Sequence, residues 1–309
     1  MVRMRLVVLI AFAWATGVLG TACAHRPPPT FRATRLVVHR STGGFRPFVR
    51  AKVAGELMTL LLDTGAYRSI LPEGFARAHK LPKGSSNMAE HMVDANGNVV
   101  LMPLLPNVPV QFEGESSAGT LDFLMNTSAE TAEGILAPQD LIRPGWALVI
   151  DLEREELRYE PEEGALKRLS GEPTPLREVD FHRCRMEGFF ERAHRIVSTS
   201  INGVPAEMLV DTGASRTVLA RNNPALPSML SVQGNRHTTL AVTSRGPGLV
   251  VKDVPVVFSK TSFVLPVNVK PVSAPCGEGA LGADVLRHCT LVWGWSSLWA
   301  ACHPPAEGE

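Results

Sequence analysis

The sequence predicts an all-β chain built as two homologous lobes with few short helices. Three observations carry that prediction. First, apolar runs such as "LVVH", "VPVQF", "ALVI", "KDVPVVF" and "FVLPVNV" are short and rich in β-branched residues, while 26 Gly and 24 Pro in 309 residues supply turns instead of long helices. Second, "DTGA" occurs twice, starting at Asp63 and Asp211, each time behind an apolar run, "LLL" or "MLV". Third, "EGILAPQDL" at 133–141 parallels "EGALGADVL" at 278–286. One "DTGA" arises by chance in roughly one chain in a few hundred at average residue frequencies. Two copies in matching frames indicate duplication.

Taken in order, residues 1–22 read as a signal segment. Arg3 and Arg5 form a positive start, Leu6 to Leu19 an apolar stretch, and "GTAC" leads to Cys23. The pattern resembles a bacterial lipoprotein signal, cut before a cysteine that takes the lipid, which makes Cys23 the expected lipidation site. Gly20 stands where that signal prefers Leu, and "ACA" at 22–24 would also suit ordinary signal peptidase. The first route gives a lipoprotein on the periplasmic face of a bacterial membrane, the second a periplasmic or secreted protein. Residues 23–34, with "HRPPPT", read as an extended linker.

Residues 35–160 form the first predicted lobe. "RAKVAGELMTLLLDTGA" at 50–66 reads as strand, Gly-containing turn and second strand ending at the aspartate. A polar, turn-rich insert follows at 93–100, then the "EGILA" element and a closing hairpin, "ALVIDLEREELRYE". Residues 161–177, rich in Pro, Gly and charge, read as the connector between lobes. The second lobe, 178–303, repeats the order. "STSINGVPAEMLVDTGA" carries an Asn-Gly hairpin signal at 202–203, an insert follows at 241–250, and "CTLVWGWSSLWAAC" closes the lobe. "LPEGFARAHK" and "GADVLRHC" read as single helical turns beneath the acidic loops.

Apart from Cys23, the cysteines are Cys184, Cys276, Cys289 and Cys302, all in the second half. In an oxidising compartment they allow two disulfides in three connectivities. Cys289 and Cys302 flank the closing hairpin, which favours Cys289–Cys302 and, with it, Cys184–Cys276. The rival, a zinc site using His182, Cys184 and His194, matches no common ligand spacing, so no metal is expected. A net charge of +1 gives no basic field for nucleic acid. There is no nucleotide fingerprint, no phosphate-cradling glycine motif, and no Ser/His/Asp or Cys/His constellation. No cofactor is expected.

An apolar strand, "DTGA" and a later hydrophobic-hydrophobic-Gly turn, present twice, resemble the lobes of retropepsin-type aspartic proteases over about 35–160 and 178–302. Two lobes in one chain resemble the bilobal pepsin arrangement. The resemblance implies two β-barrel lobes about a pseudo-twofold axis, with Asp63 and Asp211 as the catalytic pair in one shared cleft. Two carboxylates held a few ångströms apart share one proton, so one serves as base toward water and the other as acid. By the same resemblance Thr64 and Thr212 bond across the lobes. Gly65 and Gly213 let the loops turn tightly and present N–H groups. Ala66 and Ala214 stand where pepsin-like enzymes often carry a serine hydroxyl. The inserts are flap candidates, at Asp94, Ala95, Asn96 and Gly97 and at Thr243, Ser244, Arg245 and Gly246. "ILA" at 135–137 departs from the family's final Gly, which leaves open whether Ala137, followed by Pro138, alters the turn that supports Asp63. The expected activity is that of an exported monomeric aspartic endopeptidase acting on peptides or unfolded protein. The alternative is a non-catalytic peptide-binding or structural lipoprotein that retains the fold.

Overall fold

The computed structural model describes residues 32–41, 44–85, 89–93, 99–127, 133–184, 194–232, 238–243, 246–270 and 276–305. The first half contains β1 (Ala33–Ser41), β2 (Gly44–Val53), β3 (Glu56–Leu62), β4 (Ile70–Pro72), α1 (Glu73–Ala78), β5 (Glu90–Val93) and β6 (Val99–Met102). It continues with β7 (Leu104–Phe112), β8 (Gly119–Asn126), β9 (Gly134–Leu136), a 3-10 turn (Pro138–Asp140), β10 (Trp146–Asp151) and β11 (Glu156–Pro161). After α2 (Glu162–Leu169), the second half contains β12 (Arg177–Glu178), β13 (Phe181–Cys184), β14 (His194–Ile201), β15 (Val204–Val210), β16 (Val218–Leu219) and α3 (Leu226–Val232). It ends with β17 (Thr238–Thr243), β18 (Gly246–Phe258), β19 (Thr261–Val269), β20 (Gly279–Leu281), α4 (Ala283–Leu286), β21 (Cys289–Gly294) and β22 (Leu298–Cys302).

The repeat becomes two six-stranded barrels with the same strand order. In the first, β2, β3, β9, β4, β8 and β7 follow one another, and β7 returns to β2. In the second the ring is β14, β15, β20, β16, β19 and β18, closed onto β14. Each begins with a tight hairpin. Asn202 (φ 51°) and Gly203 (φ 78°) make a two-residue turn with both φ positive, and Ala54 (φ 50°) and Gly55 (φ 89°) make its counterpart. Alternating burial along the strands fills each barrel with Val49, Ala51, Val53, Phe112 and Phe123 or with Val197, Ile201, Val256, Phe258 and Phe263.

A six-stranded sheet, β12-β22-β21-β10-β11-β1, joins the two halves. The closing hairpins meet as antiparallel neighbours, β10 on β21, with Val149 opposite Val292 and Ile150 opposite Leu291. Equivalent strands of the repeat therefore pair with each other, which is the geometry of a twofold axis.

The interlobe connector is more ordered than its composition suggests. It holds α2, where Pro161 precedes the helix, Glu162 and Glu163 lie in the first turn and Lys167 and Arg168 in the last. These signs match the helix dipole at both ends. Ala165, Leu166 and Leu169 form its apolar face and pack on Ala147, Val149 and Val292 of the joining sheet. Gly and Pro in "PEEGALKRLSGEPTP" suggest a loop only if the charge order and this apolar spacing are ignored.

Both expected disulfides form. Cys289 and Cys302 are directly opposite in the closing hairpin. Cys184 bonds Cys276 across 92 residues, with Cα atoms 5.9 Å apart. Among the described residues no helix is long and apolar enough to cross a membrane. The signal segment and Cys23 lie outside the described residues.

Candidate active site

Asp63 and Asp211 each follow the last residue of a barrel strand, and each is held by its lobe in the same way. β3 runs parallel to β9 with Leu62 beside Leu136, and β15 runs parallel to β20 with Val210 beside Leu281. The ladders extend one step further into the acidic loops. Asp63 N–H donates to Leu136 O at 3.0 Å, and Asp211 N–H donates to Leu281 O at 3.1 Å.

The two loops then lock together through their threonines. Thr64 Oγ1 donates to Val210 O at 2.8 Å and accepts from Thr212 N–H at 2.9 Å. Thr212 Oγ1 donates to Leu62 O at 2.6 Å and accepts from Thr64 N–H at 3.1 Å. Both threonines are fully buried. Each hydroxyl satisfies two backbone groups of the opposite lobe, so the four bonds are reciprocal.

This lock brings the carboxyls together. Each carboxyl lies against the glycine of the other lobe's acidic loop. A Cβ on Gly65 would sit 2.5–2.9 Å from the Asp211 carboxyl atoms, and one on Gly213 would sit 2.5–2.6 Å from the Asp63 oxygens. Glycine is required here because each loop presses its backbone against the other lobe's carboxyl. Asp63 Oδ1 accepts from Gly65 N–H and Ala66 N–H, both at 2.9 Å, and Asp211 Oδ1 accepts from Ala214 N–H at 2.9 Å. Burial, then the negative charge of Asp211, then the hydrogen bond with it raise the Asp63 pKa well above its ordinary 3.8; the two backbone donors oppose this. The pair is thus set up to hold one proton between two carboxyls.

The turn under Asp63 keeps its bonds with Ala137 in place of glycine. Ala137 N–H donates to Ser69 Oγ at 3.0 Å, as Gly282 N–H donates to Thr217 Oγ1 at 3.1 Å. In the second lobe a Cβ at 282 would lie 2.5 Å from Arg216 O and 2.6 Å from Thr217 N, so that copy needs glycine. The first lobe accommodates the Ala137 methyl in full burial.

Beneath each loop a carboxylate anchors the hydroxyl residue. Asp140 Oδ2 accepts from Ser69 N–H at 2.6 Å, and Asp284 accepts from Thr217 N–H at 2.9 Å and Thr217 Oγ1 at 2.7 Å. These residues were not anticipated as site residues. "YRSI" after the first "DTGA" aligns with "SRTV" after the second, and that alignment was the available signal. Gln139, also unanticipated, donates from Nε2 to Thr64 O at 3.1 Å.

Both inserts form hairpins. β5 pairs with β6, Val93 opposite Val99, and β17 pairs with β18, Thr243 opposite Gly246. Of the flap candidates, Asp94, Ala95, Asn96, Gly97, Ser244 and Arg245 lie outside the described residues. Thr243 and Gly246 close the second hairpin. In the first lobe, Val100 and Met102 of β6 pack with Tyr67, Ile70 and Ile135, so this hairpin leans on the wall beside the acidic loop. Arg68 fixes its base: the guanidinium forks onto Glu90 at 3.1 and 3.2 Å from Nε and lies 3.5 Å from Asp140 Oδ1. No counterpart was foreseen, because the bond joins a loop to a strand 22 residues on.

Among the described residues no group of three or more His, Cys, Asp or Glu side chains is placed to hold a metal ion. Cys184, the centre of the rival zinc grouping, is in a disulfide. The fold and site together define a two-barrel all-β protein with one carboxyl pair at the lobe junction. No protein-family model matches the chain, and no curated protein matches it.

Proposed function

We propose that this protein is an aspartic endopeptidase of the retropepsin-like kind, with both lobes in one chain and Asp63 and Asp211 as its catalytic pair. One observation carries the proposal: two carboxyls from different barrels meet at the end of a reciprocal threonine lock, each against the glycine of the other lobe's acidic loop. A turn retained for folding alone does not require two acids facing each other at the cost of a raised pKa.

In the reaction, the ionised carboxylate takes a proton from a water placed between the pair. The water oxygen attacks the peptide carbonyl carbon, while the protonated carboxyl gives its proton to the carbonyl oxygen. The resulting gem-diol collapses: one hydroxyl proton returns to a carboxylate, the amine nitrogen takes a proton from the pair, and the C–N bond breaks. The Gly65 and Gly213 backbones keep both carboxyls in place without side chains intruding. The substrate is an extended peptide or unfolded protein. Export to an oxidising compartment accompanies this function, and the disulfides Cys184–Cys276 and Cys289–Cys302 support it. Lipidation at Cys23 would hold the monomeric enzyme at the periplasmic face of a membrane. Cleavage by ordinary signal peptidase would leave it periplasmic or secreted.

Neither Ala66 nor Ala214 offers a hydroxyl to an ionised aspartate, and the Asp63 pKa is raised. The optimum is therefore mildly acidic to near neutral. The test is cleavage of a peptide library by the exported form, with and without a statine-type hydroxyl mimic of the gem-diol. Cleavage blocked by the mimic supports the proposal. No cleavage across the pH range, or a rate maximum at about pH 2, contradicts it, in whole or in its pH statement respectively.

A further inference from the structure

The two halves of the cleft are not equal beside the dyad. In the first lobe Ile135 sits between Leu61 and Ile70 in the ladder. In the second, Ala280 sits between Leu209 and Val218. Strand neighbours paired in register share a face, and residues two apart on one strand share it too. Leu61 lies two before Asp63, and Leu209 two before Asp211. Ile135 and Ala280 thus lie on the faces that carry the two aspartates, opposite to the buried Leu136 and Leu281. Both are partly exposed.

At three equivalent places the first lobe carries the larger side chain: Tyr67 against Ser215, Ile70 against Val218, and Ile135 against Ala280. In the first lobe these three pack into one apolar cluster with Val100 and Met102, which closes the wall. In the second lobe the same three places hold Ser215, Val218 and Ala280, and the Gly44 turn of the first lobe lies against Ser215.

We propose that the cleft has two unequal side-chain pockets beside the dyad, a shallow one walled by Ile135 and a roomier one walled by Ala280, so that the substrate is a peptide with a large apolar side chain on only one side of the bond cut. This rests on the proposed endopeptidase activity and specifies its substrate class. A single methylene in an apolar pocket changes relative kcat/KM by about 10- to 200-fold. Ile in place of Ala adds three carbons, so this position is the strongest lever on which residue the second lobe accepts.

The test is to profile cleavage of a peptide library by the wild type and by the Ala280→Val, Ala280→Ile and Ile135→Ala variants. The expected wild-type profile favours Phe, Leu or Met on one side of the cut and excludes them from the other. Ala280→Ile lowers kcat/KM for the large residue at least about tenfold, Ala280→Val lowers it less, and Ile135→Ala admits larger residues on the opposite side. Ala280→Val adds two carbons at a partly exposed position, so a folding failure of the larger variant does not remove the test. A wild-type profile with equal preferences on the two sides, or one that none of the variants changes, overturns this inference while leaving the proposed function intact. A wild type that cleaves no peptide overturns both.

Discussion

Replacing Thr212 by Val keeps the shape of the side chain and removes only its hydroxyl. That hydroxyl donates to Leu62 O at 2.6 Å and accepts from Thr64 N–H at 3.1 Å. Thr212 is fully buried, so no water replaces either bond. Each stranded backbone group costs about 1–3 kcal/mol, and two are stranded, so the substitution costs about 2–6 kcal/mol. Thr212→Ser keeps the hydroxyl and loses one methyl, a cost of about 1 kcal/mol. Urea unfolding of the wild type and both variants measures the difference as a shift in midpoint at unchanged slope. The twofold relation makes a second demand: Thr64→Val strands Val210 O and Thr212 N–H and costs a similar amount. A Val variant within about 0.5 kcal/mol of the wild type, or a Ser variant as unstable as the Val variant, refutes the claim that these hydroxyls hold the lobes together.

The raised Asp63 pKa also affects stability. An acid whose pKa is higher folded than unfolded adds stability below its ordinary value, and that stability is lost as pH rises through the folded pKa. Asp63→Asn should therefore be more stable than the wild type at neutral pH, with the advantage fading as pH falls toward the ordinary 3.8; thermal midpoints across pH measure this, and a variant less stable at neutral pH contradicts it. Removing the disulfide that spans 92 residues should cost more than removing the one that spans 13. Loop-closure entropy gives about 4.6 against about 3 kcal/mol, and urea unfolding of the paired Cys→Ser variants compares them. Glu90→Gln weakens the fork from Arg68 that fixes the first hairpin. KM should rise about 5- to 30-fold, the equivalent of 1–2 kcal/mol, with kcat changed less, as steady-state kinetics would show. Gly213→Ala drives a methyl against the Asp63 carboxyl and should abolish cleavage.

What could be seen in the sequence was local or duplicated. The Asn202-Gly203 turn, the hairpin opposing Cys289 to Cys302 and the position of each aspartate after an apolar strand follow from short-range chemistry. The repeat extended them to two lobes. What could not be seen depends on which distant groups meet. The anchoring of Ala137 by Ser69 spans 68 residues, and "ILA" alone indicates a broken motif. The Arg68–Glu90 fork needs the first hairpin to be placed before it can be recognised. The pairing of β10 with β21 is one of several ways in which two closing hairpins can meet. The Gly and Pro of the connector mask α2, whose signal lies in the order of its charges, acidic in the first turn and basic in the last.

The central claim is that two carboxyls, one from each barrel, act as a single catalytic unit. The most direct measurement is kcat/KM of Asp63→Asn and of Asp211→Asn, each made alone in the full chain, on a peptide the wild type cleaves. Neither Asn can supply the missing acid or base, so each variant should fall at least about a thousandfold while unfolding as cooperatively as the wild type. Activity within about tenfold of wild type in either variant contradicts the shared dyad.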